Sequence, residues 1–255
     1  MNLFKSGNPA LSENRFKDSI LTDIVNPDLV MSVRGTLQKF GFLLIMLLGS
    51  AFYAWKEFAG YGNVSLLIGI GIIGSIVLSL IIVFKKEWSP YLAPAYALCE
   101  GLFIGAISAM YQDAFATKAP YIVIQAVGLT FGVAVAMYLL YSFRIIQATQ
   151  KFKAILFTAT AGIALFYLIA IALRYFGNIY IPFLHEGSTF GIIFSLIVTG
   201  IAALNLIVDF DMIEQGSAMG APKFMEWYGA FGLMVTIVWL YLEILRLLAK
   251  MNSRK

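Results

Sequence analysis

The sequence predicts an all-α polytopic membrane protein whose seven transmembrane helices pack as one bundle. Three observations carry that reading. Hydrophobic residues fill 60% of the 255 positions, and the mean hydropathy is +0.84. Charged residues make up 13% of the chain, about half the roughly 25% of a soluble domain. Apolar runs long enough to cross a hydrocarbon core as a helix, about 20 residues, recur seven times along the chain.

Residues 1–39 read as a polar N-terminal tail. It opens on the turn-rich Ser6-Gly-Asn-Pro-Ala-Leu-Ser12 and carries Glu13, Asp18, Asp23 and Asp28 without an early apolar core. No cleavable signal peptide is expected, so the first membrane helix should serve as its own insertion signal. Asn26-Pro27-Asp28 has the chemistry of a helix start, with a capping amide, a proline and an acid at the positive end of the dipole. A short interfacial helix, or a polar extension of the first span, is therefore expected over 28–39.

The spans are expected at 40–59, 64–84, 91–111, 121–143, 154–176, 190–212 and 227–249, which makes 40–249 the transmembrane domain and 250–255 a C-terminal tail. Lys56-Glu57 and Gly60-Tyr-Gly-Asn63 make the first break, and Lys85 to Pro90 the second. Gln112 to Pro120 and Arg144 to Lys153 make the next two; Arg174 to Ser188, with Pro182 and His185, and Gln215 to Lys223 make the last two. Trp55, Trp88, Trp227, Tyr91, Tyr111 and Tyr121 fall near span ends, where interfacial aromatics belong. Lys plus Arg number eleven on the N-terminal side of the bundle against seven on the other, and six against three in the connecting loops alone. The positive-inside rule then sets the N-terminus in the cytoplasm.

Several function classes are excluded. The net charge of +4 is scattered singly and in pairs, not in the dense stripe that nucleic acid requires. Gly69-Ile-Gly71-Ile-Ile-Gly74 matches a dinucleotide-binding pattern, but it lies inside an apolar run and not between a strand and a helix. It reads instead as close helix packing through small residues, as does Gly101-Leu-Phe-Ile-Gly105 with Ala97 and Ser108 on the same side. The single Cys99 forms no intrachain disulfide, and the single His185 has no cluster of metal ligands around it. No serine is set up as a nucleophile, and the Gly-x-Gly-Asp run of an intramembrane aspartyl protease is absent. Neither enzymatic activity nor a cofactor is expected.

What remains is a set of acids within the spans: Glu100, Asp209, Asp211 and Glu243. A carboxylate at the bilayer centre costs about 2.5–3.5 kcal/mol on insertion scales, which makes function the default explanation. At 100° per residue, Asp209 continues a face with Ser195, Thr199, Ala202 and Asn205, while Asp211 points nearly opposite, to headgroups or a partner helix. Glu243 shares its face with Gly229, Gly232 and Thr236, a small polar face suited to a helix at the centre of a bundle, and Arg246 at i+3 is placed to neutralise it. Glu100 is nearest the middle of its span.

These residues resemble the Bax-inhibitor-type transmembrane family, particularly its bacterial branch. Glu100-Gly101 looks like the family's Glu-Gly pair, Ile207-Val-Asp209 like its Tyr-Asp element, and Leu240-Tyr-Leu-Glu243 like its Leu-Tyr-Leu-Asp element. The resemblance runs from about residue 30 through all seven spans, and the opening Ser6 to Ser12 looks like that of a bacterial subgroup. It implies a bundle with the last helix surrounded by the other six, in a bacterial cytoplasmic membrane. It also implies a pH-sensitive calcium leak gated by two interacting carboxylates on spans six and seven. Carried over, Asp209 is the span-six acid. Glu243 stands for the span-seven Asp, but an anchor on Ile244-Leu-Arg-Leu-Leu248 puts that Asp near Thr236 instead. Val208 replaces the family's Tyr and Asp211 its Gln, so the pair is Asp209–Glu243, Asp209–Asp211, or absent.

The chemistry is coherent. Two carboxylates in a low-dielectric site do not both stay charged, so the pair shares a proton and holds its helices together. Deprotonated, it repels, takes up water and attracts cations. Calcium takes about 6–8 oxygen ligands, so one pair favours permeation over storage. The expected partners are the lipid bilayer and calcium or other cations. The alternative is a non-conducting regulator, since relatives in the family are linked to membrane proteases and cell-death factors. Its contact element would be the first 27 residues, binding a membrane protease or other membrane protein.

Overall fold

The computed structural model describes residues 29–60, 64–179 and 187–253. Seven long helices follow in chain order: α1 (Val33–Ala59), α2 (Val64–Phe84), α3 (Ser89–Ala114), α4 (Ile122–Ser142), α5 (Gln150–Phe176), α6 (Thr189–Ala218) and α7 (Met225–Ser253), with a 3-10 turn at Lys86–Trp88 leading into α3. All seven are long and apolar enough to cross a membrane. A helix satisfies its own backbone, which is why apolar runs of this length settle on it in lipid. Among the described residues there is no sheet, only an antiparallel bridge between Val30 and Pro222.

The helices overrun the apolar runs, because capping chemistry and not hydropathy sets their ends. Ser32 caps α1, accepting the Gly35 N–H at 3.0 Å. Residues 33–39 are therefore a polar extension of span one and not a separate interfacial helix. Leu29 to Met31 lie alongside the α6–α7 connection, with the Lys223 N–H donating to Leu29 O at 3.0 Å and the Met31 N–H to Ala221 O at 2.6 Å. The opening Ser6 to Ser12, the helix start at Asn26-Pro27-Asp28 and the Pro182–His185 loop lie outside the described residues. Helix α6 runs on to Ala218, where Gly220 takes a left-handed φ of 68° and the Ala221 N–H closes on Gly216 O at 3.0 Å.

The last helix is the core of the bundle. Burial covers 67% of the apolar window of α7, against 6% of that of α5. It packs on α1, α3, α4 and α6. Helix α2 lies mainly on α3, and α5 mainly on α6, so the enclosure of α7 by its six neighbours is uneven. Small residues set the closest approaches. A side chain at Gly101 or Gly105 would strike the α1 backbone at Leu47 or Ala51. A side chain at Gly71 or Gly74 would come within 2.8 Å of Phe103 or Cys99 of α3, whereas Gly69 faces open space, so two of the three glycines in that run serve packing. Large apolar residues such as Phe52, Ile73, Phe84, Leu168 and Phe176 are exposed on the outside, the face a bilayer covers.

Candidate functional site

The four acids singled out in the sequence are all buried: Asp209 is 2% exposed, Asp211 9%, Glu100 8% and Glu243 1%. Because α6 extends to Ala218, Asp209 and Asp211 lie inside the helix and not at its end.

The antiparallel register of α6 and α7 decides which acids meet. Ile213 stands against Gly229, and the Lys250 Nζ donates to Ser195 Oγ at 2.8 Å and to Gly191 O at 3.1 Å. This register sets Asp209 level with Leu233 to Thr236 of α7 and Glu243 level with about Gly200 of α6. Asp209 and Glu243 are thus about 13 Å apart in depth at 1.5 Å per residue, and they do not form one carboxyl pair. The residue of α7 at the level of Asp209 is Thr236, whose hydroxyl donates to Gly232 O at 3.3 Å.

Asp211 is held on the opposite side of α6, as its 100° steps require. Its Oδ2 pairs with Lys153 Nζ of α5 at 2.5 Å and accepts from Gln215 Nε2 at 2.6 Å. Lys153 is 3% exposed, so this ion pair is shielded from water. Beside it, Tyr141 of α4 and Arg144 both donate to Glu214, the guanidinium at 2.6 Å. The hydrogen bond it donates to Glu214 holds the Arg144 guanidinium above its already high range, so it stays cationic.

Glu243 belongs to a second cluster nearer the other end of the bundle. Its Oε1 accepts from Arg246 Nη1 at 2.8 Å and from the Tyr167 hydroxyl of α5 at 3.1 Å, while its Oε2 is buried with no hydrogen-bond partner among the described residues. Arg246 also donates to the Tyr167 oxygen at 2.6 Å and lies 5.1 Å from the ring centroid. The i+3 neutralisation expected from the sequence is present, and a residue of another helix joins it. Glu100 stands apart, on α3 beside Ser75 of α2.

The wholly buried Glu226 in the first turn of α7 escaped the sequence reading. It pairs with Lys39 of α1 and, at 3.1 Å, with Lys223, and it accepts from the Ser32 N–H at 2.9 Å and the Ser32 hydroxyl at 2.8 Å. An acid in a first turn ordinarily answers the helix dipole at the surface. Its partners Ser32 and Lys39 lie nearly two hundred residues away in sequence, so only the closing of α1 on α7 makes it a buried hub. Lys153 and Lys250 were missed for the same reason. No group of three or more potential metal ligands occurs among the described residues.

A polytopic bundle around a central helix, with carboxylates buried at staggered depths, defines a class of membrane protein built to hold charge inside a bilayer. The Bax inhibitor 1 like family model matches residues 5–253, nearly the whole chain, and the chain belongs to that family. Comparison with curated proteins gives no match.

Proposed function

We propose that the chain is a pH-responsive cation leak with calcium as the permeant ion. In this reading it sits in a bacterial cytoplasmic membrane with its N-terminal end inside, and it carries out no enzymatic chemistry and needs no cofactor. The observation that carries the reading is Asp209, 2% exposed and nine residues inside α6 on the side of the central helix. A carboxylate at that depth is costly to keep unless it is used. Glu243 lies nearer the opposite end, Glu100 of α3 lies at about the depth of Asp209, since Tyr96 packs on Phe231 and Ser108 meets Tyr241, and Asp211 is on the other side of α6. On α7 itself no acid stands near that level, and Thr236 offers a neutral oxygen. Asp209 is then the principal titrating group of the pathway.

Charged, Asp209 draws a cation and water into the bundle; protonated, it does neither. Flux should therefore rise with pH. In calcium-loaded liposomes Asp209→Asn is expected to lower flux at least about tenfold, the loss of one interaction with a charged group, and to flatten the pH response. Purified protein that adds no flux, or an Asp209→Asn variant that keeps both flux and pH response, overturns the reading.

One observation favours the regulator as a second reading. Leu29 to Met31, to which the first 28 residues are attached, are joined to the α6–α7 connection beside the Glu226 hub. If those first residues dock a membrane protease or other membrane protein, removing residues 1–27 abolishes capture of that partner and spares flux. A truncation without effect on capture counts against it.

A further inference from the structure

Helices α1 and α4 both pack on α7 far more than on each other, and the gap between them is hollow at two depths. At the end where α1 begins, a cavity of about 310 Å³ lies between Val33 and Leu37 of α1 and Tyr138 and Ser142 of α4, with Arg144 and Glu214 at its edge. Deeper, a smaller cavity of about 60 Å³ lies between Leu44 and Leu48 of α1 and Thr130 and Phe131 of α4. Positions 33, 37, 44 and 48 share one face of α1, and 131, 138 and 142 share one face of α4, so the two cavities belong to one crevice. Leu37 to Leu48, like Phe131 to Ser142, covers about 16 Å of helix. That is close to the depth of one leaflet, half of the roughly 30 Å core.

The chemistry changes along the crevice. Its mouth holds a cation and an anion, with the Arg144 and Glu214 side chains 57% and 44% exposed, and its floor is apolar apart from two hydroxyls. Glu214 engages one nitrogen of the guanidinium, at 2.6 Å. A guanidinium has five N–H donors, which leaves donors for a phosphate oxygen. A purely anionic headgroup at this mouth would also meet the Glu214 carboxylate. One that joins an ammonium to a phosphate is complementary to both groups. The upper cavity is at the low end of ligand-site volumes, enough for a headgroup but not for two acyl chains, which leaves the rest of the molecule in the bilayer.

We propose that the crevice between α1 and α4 binds one aminophospholipid of the phosphatidylethanolamine type. Its phosphate lies on Arg144, its ammonium on Glu214, and one acyl chain runs between the two helices.

The test is native mass spectrometry of the full chain released from vesicles of equal phosphatidylethanolamine and phosphatidylglycerol. The wild type is expected to keep one ethanolamine phospholipid in preference to the glycerol one. Arg144→Gln should lower that retention about tenfold through the loss of a charge-assisted bond. Leu48→Trp, which fills the crevice from its exposed side and leaves Arg144 in place, should lower it as well, while Lys151→Gln, on an exposed lysine of α5, should not. Equal retention of the two lipids, or retention that neither Arg144→Gln nor Leu48→Trp alters, overturns the proposal. So does a several-fold rise in retention on removing residues 1–28, which would assign the crevice to that segment instead.

Discussion

Helices α5 and α7 are close in length, 27 and 29 residues, and in hydropathy, 2.3 and 1.9, yet one lies at the edge of the bundle and the other at its centre. In lipid, apolar surface alone does not draw helices together, because the tails are as apolar as leucine. Association comes from close packing and from polar bonds, and the two helices divide these. Helix α7 is packed over most of its surface, with Gly229 against Thr36 and Ile213 and with Tyr228, Leu233 and Leu240 buried. Helix α5 buries only Lys153 and Leu156. Polar contacts attach it at three levels: Lys153 to Asp211, Thr160 to Asn205 at 3.0 Å, and Tyr167 to Glu243 and Arg246. The edge helix therefore reaches the acids of the interior through its hydrogen bonds more than through its apolar face.

That contrast can be broken most severely at Lys153. Lys153→Met leaves Asp211 buried beside an apolar side chain, and removing one partner of a buried pair costs about 3–5 kcal/mol. Unfolding in detergent should show this loss. The double variant Lys153→Met/Asp211→Leu should recover much of it, and a double variant as unstable as the single one would mean that the pair does not hold α5. The next effect is on packing. Leu233→Ala in α7, a side chain 2% exposed, is expected to cost about 2–5 kcal/mol. Leu168→Ala in α5, 65% exposed, should cost less than about 0.5 kcal/mol. Equal losses at the two leucines would erase the distinction between a packed helix and a latched one.

Much of the fold was legible in the chain because transmembrane helices advertise themselves by length and composition. The expected span at 64–84 coincides with α2, the one at 121–143 exceeds α4 by a residue at each end, and the other five fall inside the observed helices. The misses are at the ends. The break expected from Gln215 starts too early, since the chain stays helical to Ala218 before Gly220 turns it. The acids of the candidate site were visible for the same reason as the spans, since a carboxylate in an apolar run stands out. Their partners were not. Asp211 finds Lys153 on α5, Glu243 finds Tyr167 on the same helix, and the first turn of α7 buries Glu226 against Lys39.

The sequence by itself determined that this protein is a bundle of seven membrane helices carrying acids where lipid would exclude them, because hydropathy and helical period are local properties. Only the tertiary structure decided that Asp209 and Glu243 lie at different depths, that α7 offers Thr236 and no acid near the level of Asp209, and that α1 and α4 leave a crevice between them. Register, burial and ion pairing depend on residues tens to hundreds of positions apart, and these meet only when the helices pack.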